Sequence, residues 1–117
     1  MTRYKKEIGA WGESAAADWL SEHGHQVIAR NIRTPYGEID IITQQGEITI
    51  FVEVKTLTSS KDFFPEEAIT PTKQQHMYDA AEHYCAEHEI DHWQIDVLAV
   101  EGKPGSTPSI THFENAI

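Results

Sequence analysis

The sequence predicts an α/β fold in which a mixed sheet is flanked by helices, and three stretches carry that expectation. Residues 2–23 repeat apolar side chains at helical spacing. Residues 37–42 and 48–55 are two β-branched, apolar runs on either side of Thr43-Gln44-Gln45-Gly46-Glu47, which reads as a hairpin. A second helical stretch opening at Thr70-Pro71 leads into another strand pattern from Trp93. A helix between two strands brings the second strand back parallel to the first, so the sheet is expected to be mixed. With 117 residues the chain reads as one domain over 1–117, large enough for a modest core.

In the first helix Ile8, Trp11, Ala15, Ala16, Trp19 and Leu20 make one apolar stripe, and Gly24 is the expected stop. Gly9 and Gly12 cost helix propensity, which predicts a close approach of the helix to the sheet. Glu13 lies at the edge of the stripe, where a boundary salt bridge is the ordinary role. Residues 26–33 alternate as a first strand. Its Arg30 and Arg33 suit phosphate contacts or pairing with nearby acids. Pro35-Tyr36-Gly37 turns the chain into the hairpin. Residues 56–65 are polar and then aromatic, a loop whose Phe63 and Phe64 are expected under the loop or in a subunit contact. Thr70 is the expected N-cap of the second helix, with proline at its first position. Its stripe is Met77, Ala80, Ala81, Tyr84, Cys85 and His88, ending near Glu89, and Lys73 and Gln74 fall in its first turn. Residues 93–100 alternate as a strand, and residues 109–113 form a short edge strand after a Gly- and Pro-containing loop.

The hairpin carries the chemistry. Ile48, Ile50, Val52 and Val54 face one way, and Thr49, Phe51, Glu53 and Lys55 the other. With Gln45-Gly46 as the turn, Glu38 lies opposite Glu53 and Asp40 opposite Phe51; a four-residue loop keeps that register and an odd-length loop breaks it. Glu38, Asp40, Glu53 and Lys55 then share a face, with the Asp40 and Glu53 β-carbons roughly 5–8 Å apart. Like charges opposite one another destabilise a sheet, and the apolar flanks place these in a covered strand. A compensating divalent cation is therefore expected on Asp40 and Glu53, with Mg2+ or Mn2+ suited to such oxygen ligands. The ordinary alternative is a solvated hairpin face.

Asp40 followed after a hairpin by Glu53-Val54-Lys55 resembles the PD-(D/E)xK signature of restriction-endonuclease-like and Holliday-junction-resolvase-like nucleases. Gly12-Glu13, Arg30-Asn31, residues 37–40, residues 51–55, Lys73, Asp96-Val97 and Asn115-Ala116 together resemble the YraN-type bacterial proteins, small predicted endonucleases, over nearly the whole chain. This resemblance implies a restriction-endonuclease-like αβββαβ core and a metal-dependent endonuclease hydrolysing phosphodiester bonds of DNA, structure-specific for branched DNA. Asp40, Glu53 and the Val54 carbonyl would hold Mg2+ or Mn2+, and Glu13 would complete the shell. Lys55 would orient the attacking water or stabilise developing negative charge. Lys73 would join the catalytic centre, its alternative being a solvated first-turn lysine. With Arg30 and Arg33 it is also a candidate for nucleic-acid contact. Leu57 and Gln94 stand where that family carries basic residues. Those losses sustain a rival reading, a nucleic-acid-binding or scaffolding protein that keeps the fold without useful catalysis.

Composition limits the alternatives. The net charge of −10 is the wrong sign for holding a polyphosphate. Residues 1–75 carry 11 acidic and 8 basic side chains, and Lys103 is the only basic residue beyond them. Any nucleic-acid face therefore belongs to the first part, and weak, salt-sensitive binding, or dependence on a protein partner or homodimer, is expected. No apolar run reaches the length of a membrane span and no signal core follows the N-terminus, so the cytoplasm is expected. The single cysteine, Cys85, excludes an intrachain disulfide and a cysteine-cluster zinc site. His83, His88 and His92 show no zinc-ligand spacing.

Overall fold

The structure, a computed structural model, describes residues 3–57 and 69–117. The elements are α1 (Arg3–Glu22), β1 (Gln26–Thr34), β2 (Gly37–Gln45), β3 (Ile48–Leu57), α2 (Pro71–His88), β4 (Trp93–Glu101) and β5 (Ser109–Phe113). This is the expected αβββαβ order with the short edge strand appended. The loop expected to carry Phe63 and Phe64 lies outside the described residues.

One five-stranded sheet runs β1-β2-β3-β4-β5. β3 and β4 are parallel, joined through α2, and the other pairs are antiparallel. α1 covers one face, packing Ala16, Ala17 and Leu20 on Ile41, Ile50, Val52, Leu98 and Val100. α2 covers the other, packing Ala80, Ala81 and Cys85 on Ile39, Ile42, Phe51 and Ile95. With both faces covered, residues 95–100 of β4 are buried without a break, as central strands require. Burial also pushes the Cys85 thiol up to about 11, helped by the charge of Glu82.

The helix ends follow from local chemistry. Gly24 takes φ +86 just past α1, a conformation glycine adopts at no steric cost. Thr70 caps α2 by accepting the Lys73 N–H at 3.2 Å, which leads Lys73 into the first turn. Gly12 meets β3 so closely that a β-carbon there would collide with the Thr56 side chain. Gly9 has open space instead, so the close approach is confined to Gly12.

Three local features depart from expectation. The hairpin turn is Gly46-Glu47, pairing Gln45 with Ile48, so the ladder sits two residues from the expected register. Gly46 at φ +60 occupies the first central position, where a tight hairpin turn favours glycine. A shift of two preserves facing, and Phe51 still looks towards α2. A bulge at Ile28 lies between Val27 and Ala29 in β1. His88, in the last turn of α2, is exposed and stacks on Tyr84 at 3.9 Å rather than joining the core.

Asp96 is fully buried, at 0% exposure, and its carboxylate is satisfied on every side. It accepts from the Asn115 N–H and from Gln94 Nε2, both at 2.8 Å, and lies 2.7 Å from His112 Nε2. The Ala116 N–H donates to the Ile95 carbonyl at 2.9 Å. Asp96-Val97 and Asn115-Ala116 are thus two halves of one tie holding the chain end to β4, with Gln94 supplying a donor to Asp96.

Candidate functional site

The site forms where the sheet divides. β1 and β2 stay paired to Thr34 and Gly37, and β3 and β4 stay paired to Leu57 and Glu101. The β2–β3 ladder stops at Ile41 and Val52. Beyond that point β2 leaves β3 and opens a fork. Ile39 and Ile42 both pack in the α2 cluster while Ile41 packs in the α1 cluster, so side-chain alternation breaks at Asp40. Asn31, between the residues that pair with Ile39 and Ile41, is left-handed at φ +52. Asparagine tolerates that conformation better than most residues.

Asp40 stands in the mouth of the fork and accepts the Val54 N–H through Oδ2 at 2.9 Å. Val54 therefore enters the site through its amide, held by the carboxylate. Glu13 reaches in from α1, and carboxylate oxygens of Glu13, Glu38 and Asp40 lie within 4.8 Å of one another. With its amide nitrogen turned towards them, Asn31 donates to Glu38 Oε1 at 3.1 Å and to Glu13 Oε2 at 3.2 Å. Glu53 hydrogen-bonds the Asp40 carboxyl and pairs with Lys73 Nζ at 2.8 Å. Glu53 is 12% exposed and Lys73 44%, so the lysine reaches from solvent onto a largely covered acid. α1 and α2 lie on opposite faces, yet both deliver a charged side chain to this one gap.

Four carboxyl groups in so small a space repel one another. Burial, then the Glu53 charge, push Asp40 up to about 8, with Glu13 adding to the effect and the Val54 N–H opposing it. Burial and the Glu38 charge also raise Glu13, partly offset by Arg30. The donor set fits a hard divalent cation, because such an ion relieves the repulsion that otherwise holds a proton on Asp40.

The expected residues divide cleanly. Asp40, Glu53, Glu13 and Lys73 come together, and Lys55 follows Glu53 by two residues on the same strand face, half-buried. Arg30 instead reaches towards α1, with its guanidinium 3.4 Å from Ser14 Oγ. Arg33 is exposed on β1 and pairs with Glu38 in the ladder. The sequence places Glu38 on the shared acidic face without marking it as a ligand, and it does not point to Asn31 as a residue of the site. The left-handed asparagine was the available signal, carried by Arg30-Asn31.

Beside the carboxylates, a cleft of about 460 Å³ lies between the β2–β3 fork and the start of α2. Phe51, Met77, Ala80 and Ile95 line it with apolar surface, Tyr36 and His76 stand on its walls, and Asp40 and Glu53 border it.

Fold and site together define an α/β protein with a helix-covered mixed sheet and an acidic fork suited to a divalent cation. Residues 12–100, a span holding Glu13, Asp40, Glu53, Lys55 and Lys73, match the model of the uncharacterised protein family UPF0102, and the chain belongs to that family. A UPF0102 protein of Syntrophotalea carbinolica is 40% identical, covering 99% of this chain and 95% of its own length. One from Dehalococcoides mccartyi is 39% identical over 86% of this chain and 85% of its own. One from Bifidobacterium longum is 40% identical over 95% of this chain and 93% of its own. Among solved structures, Pyrococcus furiosus SfsA in complex with Ca2+ is similar at a TM-score of 0.38 and 15% identity, covering 94% of this chain. This chain spans 63% of that one, a likeness too distant to carry the site.

Proposed function

We propose that this chain is a divalent-metal-dependent endonuclease of the PD-(D/E)xK type, acting on phosphodiester bonds of DNA. The observation that carries the reading is the fork, where Asp40 and Glu53 from neighbouring strands meet Glu13 and Lys73 from opposite faces. Asp40, Glu53 and Glu13, joined by Glu38, would hold Mg2+ or Mn2+. Such a cation supplies Lewis-acid polarisation of a phosphoryl oxygen and a more acidic water. The chain's own groups do the rest. The Val54 N–H fixes the orientation of the Asp40 carboxylate. Lys73 neutralises Glu53, which lets a phosphate approach that would otherwise meet bare negative charge. Lys55, beside Glu53, offers a positive charge where negative charge develops in the transition state.

A second reading is favoured by the net charge of −10: a protein that keeps this architecture and binds nucleic acid without useful catalysis. Cleavage separates them. Labelled single-stranded, duplex, flap and four-way-junction DNA, with RNA alongside, would be incubated at low salt with Mn2+. Metal-dependent cutting is expected from wild type, reduced about 10²-fold or more in Asp40→Asn, Glu53→Gln and Lys55→Ala. Folded wild-type protein that cuts nothing, or variants that cut undiminished, would give the second reading the field.

A further inference from the structure

We infer that the cleft beside the carboxylates is a base pocket, so that the strand cut at the fork presents one unpaired nucleotide rather than an intact duplex. This deepens the nuclease reading and rests on it. The cleft, at about 460 Å³, falls in the range of small-molecule pockets and has room for one nucleoside, far less than a duplex fills. Its chemistry is divided in the way a nucleotide is divided. Phe51, Met77, Ala80 and Ile95 offer apolar surface for a ring, and Asp40 and Glu53 lie where the backbone phosphate would meet a cation. Tyr36, 48% exposed, stands on the wall with its ring edge-on to His83 at 6.0 Å and the rest of its exposed surface available to a base.

Charge leads to the same answer. Proteins that grip duplex DNA do so chiefly by neutralising phosphates with Lys and Arg, and this chain has 9 such residues against 19 acids. Of those near the fork, Lys73 is engaged with Glu53 and Arg30 lies against Ser14, which leaves Lys55, among the described residues, as the main cation at the cut. Binding therefore has to draw on more than phosphate neutralisation, and burial of an unstacked base on aromatic and apolar surface is the further source the cleft provides. Single strands, flaps and frayed or branched ends supply such a base; a paired base must first leave its stack.

The test uses the full chain and an uncharged probe, so that it does not depend on the cation. Metal-free protein is titrated with 2′-deoxyadenosine and, separately, thymidine, while the methyl signals of Met77 and Ala80 are followed by NMR. Saturable shifts at both methyls, with affinity at least about fivefold weaker in Tyr36→Ala, are the expected result. In parallel, a fluorescein-labelled single strand is bound in Ca2+ with one nucleotide made abasic at each position in turn. One position is expected to weaken binding at least about fivefold when its base is removed. Methyl signals that stay put up to the solubility limit, or abasic strands that all bind like the parent, would overturn the pocket. Failure of the nuclease reading shows elsewhere, as absent Mn2+ binding by calorimetry, and leaves the nucleoside titration interpretable.

Discussion

Asp40 concentrates the chemistry of the molecule at a single residue. Its ordinary value is 3.8 and its value in the fold is about 8, so between those limits the folded chain holds a proton that the unfolded chain has lost. The stability this group contributes is fully present below pH 3.8 and is lost as pH rises towards 8. Asp40→Asn keeps an acceptor for the Val54 N–H and removes the charge. In metal-free protein at pH 9 the variant is expected to melt above wild type by about 4 °C or more, each kcal/mol of relief being worth about that much in a chain of this size. A lower melting temperature would mean the carboxylate is favourable as it stands. Asp40 and Glu53 were legible because strand alternation assigns facing from sequence alone. Glu38 was legible as a member of the same face but not as a ligand. Asn31 was not legible at all, since its role depends on the break in alternation at the fork and one left-handed residue leaves almost no periodic trace.

At the scale of elements, hydrophobic period and end chemistry were enough to find every helix and strand described. Thr70 with Pro71, and Gly24 after α1, marked boundaries that the structure keeps. The hairpin register was out by two because several loop lengths of equal parity fit the same pattern, and only the backbone conformation of Gly46 selects one. The contact between α1 and β3 at Gly12 brings Glu13 to the fork, and it is sensitive to a single methyl group. Gly12→Ala gains helix propensity of about 1 kcal/mol but drives a β-carbon into Thr56, and overpacking of this kind costs about 1–3 kcal/mol. Net destabilisation is expected in denaturant unfolding, with recovery in the Gly12→Ala/Thr56→Ala double variant. An unchanged midpoint in Gly12→Ala would show that the helix can move away freely.

Across the described residues, two clusters of titratable groups stand out in different parts of the fold. One is the acidic fork. The other joins His25, buried after α1 with Nδ1 2.9 Å from Thr43 Oγ1, to His112, whose ring lies 5.8 Å away, and through it to Asp96. Burial, and then His112, lower His25 from 6.5, with His23 acting the same way and Asp96 and Glu114 opposing. Below pH 6.5 the unfolded chain therefore takes up a proton that the folded chain resists, and stability falls with pH by up to ~1.4 kcal/mol per unit. His25→Asn, which retains a partner for Thr43, is expected to flatten that part of the melting-temperature profile between pH 6.5 and 5. A profile as steep as wild type would assign the acid sensitivity to other groups. This second cluster was invisible in the sequence, because its members are spread from residue 25 to residue 112 and meet only after the sheet has formed. No helix among the described residues is long and apolar enough to cross a membrane.

Divalent-cation binding at the fork underlies the proposed chemistry, and calorimetric titration with Mn2+ tests it most directly. The account predicts saturable binding to wild type that strengthens from pH 6.5 to 8, by up to about tenfold per unit while one proton is displaced, and that disappears in Asp40→Asn. Folded wild-type protein that takes up no Mn2+ at pH 8, or an Asp40→Asn variant that binds it as well as wild type, would contradict the account.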